Sequence, residues 1–149
     1  MPSVIVIAKN KANHIAQCIR SVRWADDILI LDSGSDDDTV AIAKFKGAKV
    51  IETDWQSFGL EKQRALKWCQ HQWVLNLDAD KYLNDKDQQK IKQAMQAHKN
   101  DAYILARQMR IAALEKKYIR LFRRNAAKFS RDIVHERVLL EQHRAKKQV

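Results

Sequence analysis

Four short apolar runs, Val4–Ile7, Ile28–Leu31, Val50–Ile51 and Trp73–Leu77, recur along the first half of the chain, and a helix-like stretch follows each. The runs are β-branched or aromatic and do not alternate with polar residues, which is the pattern of strands buried on both faces. Such strands need helices on either side, and the intervening segments supply them. Asn13 is placed to cap a helix carrying Ile15, Ile19 and Val22 on one face. Asp37 or Asp38 can cap a short second helix through Ala43, closed by Gly47. A third helix fits Ser57 to about Cys69, with Leu60, Ala65 and Trp68 inward. Asn84 caps a fourth, Asp85 to about His98, whose apolar stripe is Ile91, Ala94 and Met95. Strand–helix–strand at this spacing implies right-handed βαβ units and a parallel sheet, so the expected class is α/β.

The end of the chain changes character. Tyr103–Ala106, Tyr118–Phe122 and Ile133–Leu140 read as further strands with short connections, which favours a mixed or antiparallel extension of the sheet. Composition narrows the alternatives. At 149 residues the chain is expected to be one domain, and no stretch approaches the roughly 20 apolar residues of a membrane span. Met1-Pro2-Ser3 runs straight into the first strand and reads as part of it, not as a signal peptide. Cys18 and Cys69 are too few for a disulfide framework and lack metal-site spacing. Three glycines and one proline argue against a many-turned β-sandwich. The net charge of +10 is unevenly spread: 13 of the 28 basic residues but only 4 of the 18 acidic ones lie from Arg107 onward. That asymmetry points to an anionic partner for the C-terminal part, or to a solvated basic tail.

In an open α/β sheet, ligands bind beyond the carboxyl ends of the strands. Three strand ends here carry polar residues: Ala8-Lys9-Asn10, Asp32-Ser33-Gly34-Ser35-Asp36, and Asp78-Ala79-Asp80. The convergence of Asp32, Asp78 and Asp80 on one edge is the most informative feature of the sequence. Two carboxylates at i and i+2 past a buried strand can hold a hard divalent ion, which would neutralise a departing diphosphate; they could equally form a turn or cap. Asp32 can accept hydrogen bonds from a nucleobase or ribose, or serve the βα turn that follows it. Lys62 and Arg64, near the start of the third helix, could meet a phosphate or base, or form a solvated face. His135 and Glu136 point to opposite faces of a late strand; His135 could be a metal or diphosphate ligand and Glu136 a base, or both could be paired structurally.

Together these residues carry a family resemblance. Ala8-Lys9-Asn10 and the block from Ser21 to Ser35 resemble the opening of family 2 glycosyltransferases, in particular the lipopolysaccharide core-biosynthesis glucosyltransferases. Asp38–Ala43, Phe58–Gln63, Leu77–Asp80, Ile119–Arg124 and Val134-His135-Glu136 are similar to further blocks of that family, in the same order. The resemblance implies a single Rossmann-like nucleotide-diphospho-sugar transferase (GT-A) fold and metal-dependent, inverting transfer from a nucleotide sugar, with a UDP-linked donor expected. By position Asp32 would bind the nucleoside, Ala8 and Asn10 would line its pocket, and Lys62 would sit by base or phosphates. Asp78 would contact ribose or metal, and Asp80 would ligate Mg²⁺ or Mn²⁺ with His135 as a third ligand. The Arg120, Arg123 and Arg124 region suits a leaving diphosphate, and Glu136 and Asp132 are the candidate bases. Where the family reads D-A-D-E, this chain has Lys81, and its segment between Arg107 and Tyr118 lacks the family's Gly- and aromatic-rich stretch.

The expected organisation is a nucleotide-sugar-binding half, residues 1–100, and a shortened basic half, 101–149, facing acceptor and membrane. The expected acceptor is an anionic lipid-linked glycan at the inner, cytoplasmic face of the membrane, with peripheral contact through the basic segment. Two competing readings are a relative that binds donor without transferring it and a nucleic-acid-binding module. The second is disfavoured because the basic segment lacks the aromatic interleaving of a single-strand platform.

Overall fold

The computed structural model describes residues 1–54, 57–97, 99–104, 119–129, 138–140 and 147–148. Five elements alternate at the start: β1 (Pro2–Ala8), α1 (Ala12–Ser21), β2 (Asp27–Asp32), α2 (Thr39–Phe45) and β3 (Lys49–Glu52). Then come α3 (Phe58–Ala65), a 3-10 turn (Leu66–Trp68), β4 (Trp73–Asp78) and α4 (Asp85–Ala97). Short strands complete the described chain: β5 (Ala102–Ile104), β6 (Ile119–Arg123), β7 (Ala127–Phe129), β8 (Val138–Leu140) and β9 (Lys147–Gln148).

The main sheet has the order β3-β2-β1-β4-β6-β5-β9, and β7 pairs with β8 apart from it. β1 to β4 are mutually parallel, as βαβ units require, whereas β6 runs antiparallel to both β4 and β5. This is the mixed extension expected from the short late connections. The chain winds outward from β1 through β2 to β3, then returns to place β4 on the other side of β1. That reversal puts the topological switch point between β1 and β4, where the crevice of an open sheet opens.

Both sheet faces are covered. Val4, Val6, Ile28, Ile30, Trp73, Leu75 and Leu77 pack with Ile15, Ile19 and Val22 of the α1 region and Ile91, Ala94 and Met95 of α4. Ile5, Leu29, Leu31, Val74 and Phe122 face Ala65 and Leu66 at the end of α3. Adjacent strand residues point to opposite faces, so each run feeds two cores and cannot alternate with polar residues. No helix among the described residues is long and apolar enough to cross a membrane.

Local details correct some sequence expectations. Asn13 does not cap α1: the helix starts at Ala12 with Lys11 as N-cap and no side-chain cap of its own. Its first N–H groups are met across the chain instead, Lys11 N donating to Thr39 Oγ1 at 2.8 Å and Ala12 N to Asp37 Oδ2 at 3.2 Å. Of the two aspartates ahead of α2, Asp37 makes the bond, accepting from Thr39 N at 3.0 Å, while the N-cap Asp38 makes none. Trp68 is not inward but 54% exposed. The buried positions here are Glu61, Lys62, Ala65, Leu66 and Cys69, spaced three and four apart, so Trp68 falls off the inward stripe, where Lys49 Nζ lies 5.6 Å from its ring. Asn84 does cap α4, in a reciprocal box: Asp87 N donates to Asn84 Oδ1 at 2.9 Å and Asn84 N to Asp87 Oδ2 at 3.2 Å. His98, Leu105, Ala106, Tyr118 and Ile133 to Arg137, the outer parts of expected elements, lie outside the described residues.

α2 ends in a Schellman motif. Gly47 adopts φ +84°, its N–H bonds Lys44 O at 3.0 Å, and Ala48 N bonds Ala43 O at 3.1 Å. A Cβ at Gly47 would meet no neighbour, so only backbone strain opposes one. Gly47→Ala is expected to lower stability by about 1 kcal/mol, read as a shift of the urea midpoint without change of slope.

Candidate functional site

The strand registers bring the polar ends level. Ala8 pairs with Asp32 and Ile7 with Asp78, so the ends of β2, β1 and β4 form one row at the switch point. On the β2 side, two loops are zipped together. Ser33 N donates to Ala8 O at 3.0 Å, Asn10 N to Ser35 Oγ at 2.9 Å, and Asp36 N to Asn10 Oδ1 at 2.8 Å. Asn10 holds φ +51°, a left-handed conformation that Asn tolerates better than most residues. Asp32 is only 2% exposed. Its carboxylate accepts from Gly34 N at 3.1 Å, from Ser35 N at 2.8 Å and from the Ser35 hydroxyl. In this structure Asp32 therefore anchors the turn that shapes the crevice wall, and Gly34, at φ +90°, supplies the backbone conformation the turn needs.

On the β4 side lies an ion cluster. Arg120 grips Asp78 with both ends of its guanidinium, Nη1 to Oδ1 at 3.2 Å and Nη2 to Oδ2 at 2.9 Å. β6 delivers that arginine. Leu75 pairs with Leu121, so Arg120, one residue earlier on the antiparallel β6, lies one step nearer the carboxyl end of β4 and reaches the carboxylate from the neighbouring strand. Lys62 projects from α3 on the same side of the sheet. Its side chain is 2% exposed and its ammonium lies 4.0 Å from Asp78 Oδ1. Burial pushes the Asp78 carboxyl up, but Arg120, Lys62 and Lys81 outweigh it and hold the group below the ordinary carboxylate range. Beyond it, Lys81 N donates to Asp78 O at 2.9 Å, closing the turn. Asp80 has a side chain 40% exposed, close to the 38% of Asp78, and pairs instead with Lys81, whose Nζ lies 3.5 Å from Oδ2. Cys18 Sγ lies 3.7 Å from Asp78 O. Burial first, then the charges of Asp78 and Asp80, push that thiol up to about 12, which makes it a packing group and not a nucleophile.

The structure thus gathers Ala8, Asn10 and Asp32 on one wall and Lys62, Asp78 and Asp80 on the other. Asp132, His135 and Glu136 lie outside the described residues. Among the described residues no group of three His, Cys, Asp or Glu could hold a metal ion. As a metal ligand Asp80 fits, being an accessible carboxylate; Asp78 fits poorly while Arg120 occupies both its oxygens. The Arg120–Asp78 pairing was not legible in the sequence, because 42 residues and a strand register separate the partners. Arg64, the other candidate on α3, turns away and bonds Glu61 Oε1 at 3.1 Å.

The carboxyl group of Asp78 is depressed in the fold, so its contribution is fully present above the unfolded carboxylate pKa and is lost as pH falls through the folded value. Asp78→Asn, which removes a carboxylate that both the buried Lys62 and Arg120 face, is expected to lower stability by about 2 kcal/mol at pH 7. Urea titrations should show that gap closing below about pH 4.

A family model described as Glycosyl transferase family 2 matches residues 3–143. Over 103 residues the chain is 41% identical to an uncharacterized glycosyltransferase of Rickettsia felis, a match covering 68% of this chain and 36% of the other. It is 31% identical over 87 residues to the lipopolysaccharide core biosynthesis glycosyltransferase LpsC of Rhizobium meliloti, covering 55% of this chain and 32% of that one. The chain thus spans well under half the length of these curated relatives. Among solved structures it is similar to S. aureus TarS 1-349 in complex with UDP-GlcNAc, with TM-score 0.65, 22% identity, and 78% and 37% of the two chains covered. It is also similar to glucosyl-3-phosphoglycerate synthase from Mycobacterium tuberculosis in complex with Mn²⁺, UDP and glucosyl-3-phosphoglycerate, with TM-score 0.57, 20% identity, and 71% and 43% covered.

Proposed function

The chain belongs to glycosyl transferase family 2, and from that premise we propose that it transfers a sugar, with inversion, from a UDP-linked donor to an anionic lipid-linked glycan such as a lipopolysaccharide core. The observation that carries this reading is the level row of strand ends at the β1/β4 switch point, with Asp32, Asp78 and Asp80 flanked by Lys62 and Arg120. Residues 1–100 form the donor half. Ala8 and Asn10 line the nucleoside pocket, and Asp32 presents the turn on which the base rests. Lys62 and Arg120 place positive charge where the diphosphate lies, and Asp78, held rigid between them, faces the ribose.

Asp80, with His135, is the proposed ligand set for Mg²⁺ or Mn²⁺, an ion that when bound would stabilise charge on the departing diphosphate. Inversion requires a base opposite the leaving group to take the acceptor's hydroxyl proton. Glu136 and Asp132 are the proposed candidates. The basic residues within 101–149 would contact acceptor and membrane surface at the cytoplasmic face, since cationic side chains gain from anionic headgroups. The names of LpsC and of the UDP-bound relatives support the choice of acceptor and donor.

In buffer with Mn²⁺, UDP at ~100 times its dissociation constant is expected to stabilise the protein by about 2.7 kcal/mol, whereas ADP and GDP at the same concentration add little. Asp80→Ala should keep its fold by circular dichroism and lose about a hundredfold or more in UDP-sugar turnover. Equal stabilisation by all three nucleotides, or undiminished turnover in Asp80→Ala, would contradict this assignment.

A further inference from the structure

Two large rings stand in solvent beside β3, the edge strand of the main sheet. Phe45, the last residue of α2, is 86% exposed, and Trp68, the last of the 3-10 turn, is 54% exposed. α2 and the turn cover opposite faces of the sheet, Ala43 joining one core and Leu66 the other. Lys49 links the two rings: it follows Phe45 across the Gly47 turn, and its Nζ lies 5.6 Å from the Trp68 ring. Lys46 Nζ lies in the same way 5.7 Å from the Phe45 ring. The surrounding sequence is basic. Lys44, Lys46 and Lys49 follow one another with no acid between them, and Lys67 precedes Trp68. Among the described residues only Lys44 of these four pairs with a carboxylate, Glu52 at 3.9 Å, and both partners are exposed, so that pair is weak. A single exposed ring needs no explanation, but two of them at one corner, each under a lysine, form a surface with a chemistry of its own.

That chemistry selects the partner. A two-fold contact with a second copy would set these lysines against their own equivalents. A single nucleic-acid strand or an extended peptide is held in a groove, whereas Phe45 projects. A bilayer needs no groove: aromatic rings enter at headgroup level while lysine stems lie along them and carry their charge to anionic headgroups. We propose that Phe45 and Trp68, with Lys44, Lys46, Lys49 and Lys67, dock this corner of the protein on an anionic lipid bilayer. The contact lies outside residues 101–149 and stands whether or not the donor-site reading holds. Its position suits a membrane-held substrate. Lys49 pairs with Leu29, three residues before Asp32, and β3 lies two strands from β1. The corner is therefore about 10 Å below the row of strand ends and to its side, so a docked bilayer flanks the crevice without blocking its mouth.

Co-sedimentation of the full chain with phosphatidylcholine vesicles, with and without phosphatidylglycerol, tests this directly. Wild type is expected to bind the anionic vesicles about tenfold or more better than the neutral ones. The double variant Phe45→Ser, Trp68→Ser should lose about tenfold in binding to the anionic vesicles. Changing Lys46, Lys49 and Lys67 together to Gln should cost at least as much. Brominated acyl chains should quench the tryptophan emission of bound wild type, and should quench bound Trp68→Phe markedly less. Unchanged melting temperatures check that the variants fold, which the exposure of the replaced side chains favours. Stabilisation by UDP, measured alongside, is expected to be the same in wild type and the double variant, so loss of the membrane contact is told apart from loss of the donor site. Vesicle binding undiminished in the double variant would overturn the proposal and leave any membrane contact to residues 101–149. Failure of wild type to sediment with anionic vesicles would overturn it as well. If wild type instead binds single-stranded RNA or self-associates, and the double variant does not, the corner serves that other partner and the bilayer assignment is wrong.

Discussion

A parallel strand buried on both faces has almost nowhere to put a charge except at its ends. Every other feature here follows from that constraint. β1, β2 and β4 fill two cores with their interior residues, so polar side chains collect where the strands stop. At the amino ends those groups are structural: Ser3 donates to Asp27, which also accepts from Gln70 N at 2.8 Å. At the carboxyl ends they open onto the crevice left by the reversal of strand order between β1 and β4. The two edges use the same residue types. What separates them is topology, because only the carboxyl edge has loops that part around a switch point.

The two walls of the crevice achieve rigidity differently. On the β2 side it comes from hydrogen bonds between neighbouring loops, with Asp32 spending its acceptors on backbone N–H groups and a serine hydroxyl. Such a wall is shaped by hydrogen bonds. The charged groups that end and follow β2, Asp32 and Asp36 to Asp38, are acidic, so the wall suits the base and ribose of a nucleotide and not its diphosphate. On the β4 side rigidity comes from charge. Asp78 holds a buried lysine from one helix and an arginine from an antiparallel strand, so the mixed extension of the sheet is part of the site and not an appendage. The aspartate contributes a negative charge beside the buried Lys62, and the cations around it hold its carboxyl below the ordinary range.

How much of this could be read in advance varies from element to element. β1 to β4 and the four α-helices of the described residues were visible, because continuous apolar runs and the Ile15/Ile19/Val22 and Ile91/Ala94/Met95 stripes are periodic signals inside short windows. The row of Asp32, Asp78 and Asp80 was visible too, since strand ends can be counted. Trp68 lies outward because the buried stripe of α3 runs through the polar Glu61 and Lys62, which an apolar pattern does not mark. Asn13 was misread because Thr39 and Asp37, remote in sequence, satisfy the first turn of α1.

The sequence by itself determined the class of fold, the parallel core and the edge on which chemistry collects, since these depend on burial and periodicity within a few residues of each position. Only the tertiary structure decided the state of each charged group. Asp32 became a turn anchor, Asp78 a counter-ion facing Lys62 and Arg120, and Asp80 the carboxylate beside Lys81. Charge interactions depend on distances across strands and helices, and those distances exist only once the hydrophobic layers have set the register.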